Sequence, residues 1–159
     1  MQIDLMTIMV NDYDEAIRFY VDLLGFEIVE DSASLTNDGR AKRWVVVRPP
    51  LAQTGILLAQ ADGEVQTAVV GRQTGGRVGF FLRVDDFNAT LARMVAADVE
   101  LISAPREEPY GKVVVFCDIA GNRWDLLDPR PSDRSTRFFS ELPNQSRENG
   151  VVSHFTTGP

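Results

Sequence analysis

One carboxylate, one arginine and a tyrosine in the last third of the chain are the groups best suited to chemistry. Asp125 lies within Arg123-Trp-Asp-Leu-Leu127, and Tyr110 follows Glu107-Glu-Pro109. Side chains alternate along a strand, so Arg123, Asp125 and Leu127 share one face, and Trp124, Leu126 and Asp128 the other. An acid on such a face can pair with a cation or exchange a proton with a bound molecule, and a nearby tyrosine can donate one. Other chemistries are poorly supplied. The single histidine, His154, lies near the C-terminus, and the single cysteine, Cys117, reads as a small buried strand residue. One cysteine excludes an internal disulfide framework and any multi-cysteine metal site. Gly71-Arg-Gln-Thr-Gly-Gly-Arg77 lacks the Gly-Lys-Ser/Thr ending of a phosphate loop, which leaves Gln73 and Arg72 as candidate ligand contacts.

These groups need a scaffold, and the composition allows one. A chain of 159 residues that is 44% hydrophobic can bury the core of one domain, or of two half-domains that share it. A net charge of −7 with no basic stripe excludes a nucleic-acid partner and suits a cationic small molecule. No apolar run reaches the roughly 18 residues a membrane span needs, and with one cysteine the expected compartment is the cytoplasm.

Periodicity places the elements. Residues 3–10 are almost continuously apolar and read as a strand buried on both faces. A helix follows, capped by Asp12 with Glu15 three residues on, striped by Ile17, Tyr20, Leu23 and Leu24, and stopped at Gly25. Strands are expected at 26–29, 43–48 and 55–59, with a loop over 31–40. Residues 60–77 read as a connection too polar to be core. The second half starts again with a strand at 78–84, a helix capped by Asp86 and striped by Leu91, Met94 and Val95, and a short strand at 98–102. Asp118, Gly121 and Asn122 then form a turn before the strand that carries Asp125.

The two halves repeat. Val10-Asn-Asp-Tyr matches Val84-Asp-Asp-Phe at an offset of 74, and Gly25-Phe-Glu-Ile-Val matches Asp98-Val-Glu-Leu-Ile at 73. Val45-Val-Val matches Val113-Val-Val at 68, and the same offset sets Gly55-Ile-Leu-Leu on Arg123-Trp-Asp-Leu. The expected fold is α+β, with tandem βαβββ modules at about 3–60 and 77–129, a linker at 61–76 and a C-terminal extension at 130–159. Because each sheet buries only its helix side alone, the two should pair into a cup-shaped mixed sheet. In the extension, Phe138-Phe139 and Val151-Val152 are the apolar pairs.

Phe116-x-Asp118-x-x-Gly121-Asn122-x-x-Asp125-Leu126-x-x-Pro129, at the end of the second repeat, resembles the close of a module in the vicinal oxygen chelate superfamily. That superfamily includes glyoxalase I, bleomycin-resistance proteins and extradiol dioxygenases, and the resemblance covers residues 3–129. It implies a cup that binds a small molecule and chains that pair as homodimers. In its metal-dependent members the first and last strands of each module supply His, Gln or Glu ligands. The repeat maps those positions onto Leu5, Gly79, Leu57 and Asp125, three of which have no metal-binding side chain. Moving the register forward gives Met6, Phe80, Leu58 and Leu126, and backward Asp4, Val78, Ile56 and Trp124, neither of which restores a set. No metal and no cofactor is expected.

The cup lining should therefore include Leu5, Thr7, Leu57, Gly79, Phe81, Arg83, Arg123 and Asp125, with Trp44 and Tyr110 near the rim and Gln73 reaching in from the linker. Core packing of Phe81 and Trp44, and an internal ion-pair cluster of Arg83, Arg123 and Asp125, are the structural alternatives. Two functional readings follow. One is a metal-free binder of a cationic or aromatic small molecule, similar to bleomycin-resistance proteins. The other is a glyoxalase- or dioxygenase-type enzyme using Asp125 or Tyr110 as acid or base. A third role, in protein contact, rests on the extension alone.

Overall fold

A computed structural model describes residues 1–129; the expectations for Phe138-Phe139, Val151-Val152 and His154 lie outside the described residues. The first module runs β1 (Leu5–Val10), α1 (Tyr13–Ile17) continued by a π-helical turn (Arg18–Leu23), β2 (Glu27–Leu35), β3 (Ala41–Arg48) and β4 (Gly55–Gln60). After α2 (Gly63–Val69) come β5 (Val78–Arg83), α3 (Phe87–Ala96), β6 (Arg106–Glu108), β7 (Gly111–Cys117) and β8 (Arg123–Leu127). Each module is a four-stranded mixed sheet, ordered β1-β4-β3-β2 and β5-β8-β7-β6. Only β1/β4 and β5/β8 pair in parallel. This is the expected α+β pair of βαβββ modules.

Strand pairing tests the repeat residue by residue. Thr7 pairs with Leu57 and Phe81 with Asp125, so first-strand positions 74 apart meet last-strand positions 68 apart. The helix caps repeat as well. Asp12 accepts the Glu15 N–H and Asp86 the Ala89 N–H, both at 2.9 Å. Gly25 and Asp98, 73 apart, both take positive φ (79° and 57°) where the helices stop. The first helix thus holds one residue more between cap and stop than the second. It absorbs that residue as the π-helical turn, whereas α3 is α-helical throughout.

One offset is corrected. Val46 pairs with Leu57 and Val115 with Asp125, which aligns β3 with β7 at 69 rather than 68. Three successive valines carry no internal mark of register, and a slip of one residue exchanges the faces of a strand.

The helix-facing sides of both sheets share one core. Ile8, Val45, Val47 and Leu58 meet Leu82, Val114, Phe116, Trp124 and Leu126, with Tyr20, Phe26 and Met94 among them. The π turn brings both Phe19 and Tyr20 inward, and the Tyr20 ring centre lies 5.9 Å from that of Trp124. This displaces the expected stripe: Tyr13, Ala16, Phe19, Tyr20 and Leu24 are buried, and Ile17 and Leu23 only partly so. On α3 the buried residues are Phe87, Thr90 and Met94, while Val95 is 58% exposed.

A buried polar knot joins the modules. The Tyr20 hydroxyl donates to Asp118 Oδ2 at 2.7 Å, alongside Trp124 Nε1 at 2.9 Å and Asn122 Nδ2 at 3.0 Å. Asp118 Oδ1 accepts the Ala120 and Asn122 amides, each at 2.9 Å. Burying this carboxylate is tolerable because every accepting site is filled.

Other expectations change with context. β1 is an edge strand, not one buried on both faces, and its Met6 and Thr7 are exposed. Half of the expected 31–40 loop is strand, since β2 continues to Leu35 on backbone pairing with β3. The strand expected at 98–102 shrinks to a bridge between Leu101 and Phe116. Beyond it Ser103 Oγ accepts the Val115 N–H at 3.2 Å and Pro105 has no N–H to offer, so pairing resumes only at β6. The polar connection contains α2, which buries none of its residues. Gly71 then passes close to the Asp118–Asn122 turn, where an added Cβ would lie 2.2 Å from the Ala120 carbonyl oxygen.

Candidate functional site

Each sheet also has a side turned away from the shared core. Val46, Val113 and Leu127 are buried yet stand outside that core, and they mark this second side. On the first sheet it carries Leu5, Thr7, Leu57 and Trp44, and on the second Phe81, Arg83 and Asp125.

The first sheet's open side is hollowed around an indole. Trp44 lines a groove of about 370 Å³ with Met9, Leu57 and Ala59, rimmed by Arg40, Lys42, Asp62 and Gln66. It also lines a cavity of about 300 Å³ with Leu5, Val46, Gly55 and Arg48. Gly55 makes this floor possible, because a Cβ there would stand 2.9 Å from Leu5 Cδ2. Thr7, exposed beside Leu57, lines neither. Met9, Lys42 and Gln66 were missed by the sequence reading. Val65 and Val69, four apart behind Glu64, were the available signal for α2, which brings Gln66 to the rim.

Gln73 has a different task from the expected one. Its Oε1 accepts the Met9 N–H at 2.8 Å and its Nε2 donates to the Thr7 carbonyl at 3.2 Å, so the amide covers the free edge of β1. An unpaired edge invites strand addition, and this contact occupies part of it.

Between the modules runs an apolar groove of about 270 Å³, lined by Met6, Phe26, Ile56, Gly79, Phe80, Phe81 and Trp124. Gly79 sits where the β5/β8 register shifts and has no partner in β8, so it is not the counterpart of Leu5 in pairing. Its hydrogen faces Thr74, whose Cγ2 lies 2.2 Å from where a Cβ would be.

The second sheet's open side holds the charges, but not as an ion-pair cluster. Arg83 donates to the Asp128 carbonyl, and Arg123 to the Gly76 carbonyl at 2.8 Å. Asp125 is 8% exposed with no donor on Oδ1. Burial raises its carboxyl above the usual range, and the Arg106 charge pulls the other way. Arg106 itself is engaged by Glu108 at 2.8 Å. Tyr110 stands half exposed in the turn between β6 and β7. Burial and the neighbouring Glu100 raise the half-buried Cys117 thiol, which leaves it a poor nucleophile. None of the three cavities above is lined by Asp125. The structure thus places Leu57 in one and Leu5 in the other of the two hollows that Trp44 borders, Gly79 and Phe81 at the seam, and Arg83, Arg123 and Asp125 on the other sheet.

Residues 2–126 match the family model of the glyoxalase/bleomycin resistance protein/dioxygenase superfamily. The chain belongs to this superfamily. A protein of Shewanella frigidimarina (strain NCIMB 400), described as uncharacterized, is 46% identical over 123 residues, spanning 77% of this chain and 89% of its own. Among solved structures, UcmS2 superposes with a TM-score of 0.65 at 28% identity, covering 81% of this chain and 98% of its own. TnmS3, an antibiotic binding protein from Streptomyces sp. CB03234, superposes at 0.62 with 28% identity, covering 81% and 96%.

Metal-dependent members of the superfamily need a donor set, and the open faces do not fit one. The observed register keeps Leu57 opposite Asp125 in the repeat, and Leu5 and the bulged Gly79 add no side-chain donor. Among the described residues no group of three or more His, Cys, Asp or Glu could hold a metal ion. Nor is any helix among them long and apolar enough to cross a membrane.

Proposed function

We propose that this protein binds a small organic molecule on its open sheet faces, without a metal and without turning it over. The observation that carries the reading is Trp44, whose indole borders two adjoining hollows of about 370 and 300 Å³. Each is near the lower end of the range for small-molecule sites, and both are floored by aliphatic groups with a few polar ones at the rim. A flat aromatic ligand suits such a wall. The description of TnmS3 as an antibiotic binding protein supports a small organic ligand. The protein acts as a homodimer in the cytoplasm on this reading.

The test is quenching of tryptophan fluorescence by a panel of planar polycyclic antibiotics, with and without chelator. Saturable quenching that chelator leaves unchanged and Trp44→Phe abolishes is expected. Quenching that requires an added divalent ion would replace this reading with a metal-dependent one. A second reading, an enzyme using Asp125 as acid or base, is favoured by its raised pKa. Chemical conversion of a bound ligand, lost in Asp125→Asn, would establish it.

A further inference from the structure

The Trp44 groove is bounded in part by two segments far apart in the sequence. Thr36 and Arg40 come from the turn between β2 and β3, and Asp62 and Gln66 from the start of α2. Arg40 joins them. Its Nη1 donates to Asp62 Oδ1 at 2.9 Å and its Nη2 to Asp62 Oδ2, while its Nε donates to Asp38 at 2.8 Å. Asp62 is thereby diverted from the task its counterparts perform. Asp12 and Asp86 cap α1 and α3 with their side chains, whereas Asp62, at the same position before α2 and with the same extended backbone, makes no side-chain capping bond. Gln66 Oε1 instead reaches back to accept the Asp62 N–H at 2.9 Å.

The segment this pair holds has little packing to keep it in place. A helix as short as α2 is marginal unless one face is buried, and here every residue from 62 to 69 is exposed, Val65 by 82%. The chain on either side is fixed. The Ala61 N–H donates to the Val10 carbonyl at 2.9 Å, Gly71 lies against Ala120, and Gln73 is bonded to the edge of β1. Between these points Gly63, at φ +79° with open space around it, offers a pivot. We propose that residues 62–70 form a strap latched by Arg40: while the Arg40–Asp62 pair is made the strap bounds the Trp44 groove, and when the pair breaks the strap lifts between Ala61 and Gly71 and opens that side of the groove. Both side chains of the pair are about half exposed, so salt screens their attraction and the latch releases easily. Control of ligand entry by the strap rests on the reading of the groove as a binding site; the latch itself does not.

The test is quenching of tryptophan emission by acrylamide, a small neutral molecule whose encounter with the protein salt does not steer. Of the two tryptophans Trp124 is 3% exposed in the core, so the quenchable emission is that of Trp44. Arg40→Gln should raise the quenching constant about 2- to 5-fold, the range an exposed ion pair can impose on an opening equilibrium. Salt at about 0.5 M should do the same to the parent and nothing to Arg40→Gln. Asp38→Asn removes the other carboxylate on Arg40 and leaves the latch, so it should not raise quenching. Urea unfolding confirms that each variant is folded. Equal quenching of the parent and Arg40→Gln, or a salt response that survives the substitution, overturns the inference. Stopped-flow mixing with a planar polycyclic antibiotic adds the entry step: association should quicken in Arg40→Gln by a similar factor, and an unchanged rate overturns the strap's control of entry. If no such molecule binds, the reading of the groove as a binding site falls, and the acrylamide result still decides the latch.

Discussion

Tyr20→Phe removes a single oxygen from the knot that ties the two modules together, and its cost can be worked out from the geometry. The hydroxyl donates to Asp118 Oδ2 at 2.7 Å inside the core, and burial beside Asp118 raises its pKa well above the ordinary value, so it stays protonated in any practical assay. A hydrogen bond to a charged group is worth about 1.5–3 kcal/mol. Oδ2 keeps Trp124 Nε1 and Asn122 Nδ2, so no acceptor is stranded and the lower end, about 1.5 kcal/mol, is expected. Asp118→Ala differs in kind. It strands the Tyr20 hydroxyl, the Trp124 indole and two backbone amides, and should cost more than about 4 kcal/mol. The decisive arm is Tyr20→Phe in the Asp118→Ala background, where removing a stranded hydroxyl should stabilise. Urea unfolding followed by tryptophan fluorescence measures all four corners of this cycle. Should Asp118→Ala fail to fold, Asp118→Asn takes its place, with the Tyr20→Phe cost reduced instead of reversed. A Tyr20→Phe cost below about 0.5 kcal/mol, or one that is unchanged in the altered background, would refute the argument.

Three further outcomes follow from particular contacts. Gly71→Ala should destabilise by about 3 kcal/mol or more, because the new Cβ meets the Ala120 carbonyl at 2.2 Å with φ at +70°. Gly75→Ala, at φ +62° with open space around it, should cost only about 1 kcal/mol, and urea unfolding of the pair separates contact from backbone strain. Gln73→Ala should speed hydrogen exchange at the Met9 amide while lowering stability by no more than about 1 kcal/mol, since water can reach the exposed edge. Asp125 sets a pH dependence with a defined sign. Its folded pKa lies above the unfolded one, near 3.8, so its contribution to stability is full below that value and is lost as the pH rises through the folded value. Asp125→Asn should therefore gain stability relative to the parent as the pH rises above about 4, and unfolding free energies of the two that run parallel with pH would contradict the burial argument.

What could be read from the chain depended on whether a feature had a local cause. Asp12 and Asp86 cap helices by bonding three residues ahead, so the sequence marks both. The Asp118-Gly121-Asn122 turn is equally local. Side-chain faces depend on pairing partners instead, and the valine runs at 45–47 and 113–115 could not disclose that their alignment was off by one. The buried state of Asp118 was hidden for the same reason. Four of its five donors lie within six residues, but the fifth, Tyr20, lies 98 residues away. The expected lining failed as a single set because periodicity assigns a residue to a face and does not say which faces converge. Leu57 and Asp125 are counterparts in the repeat and line no common cavity.

The one-residue excess in the first helix links these threads. Between cap and stop the first module has 12 residues, 13–24, where the second has 11, 87–97, as the fall in offset from 74 to 73 records. Left in an α-helix, an extra residue would rotate everything beyond it by about 100° and turn Tyr20 off the shared core. The π-helical turn widens one stretch of the helix, keeping Tyr13 and Ala16 on the core before it and Leu24 on the core after it. Within the widened stretch, two successive aromatics, Phe19 and Tyr20, face inward together. Tyr20 can thus reach Asp118 in the other module while Phe19 packs edge-on against it at 5.4 Å. An excess that would disrupt a regular helix instead supplies the contact by which the first module grips the second, and the strands carrying Trp44 and Asp125 are held on either side of it.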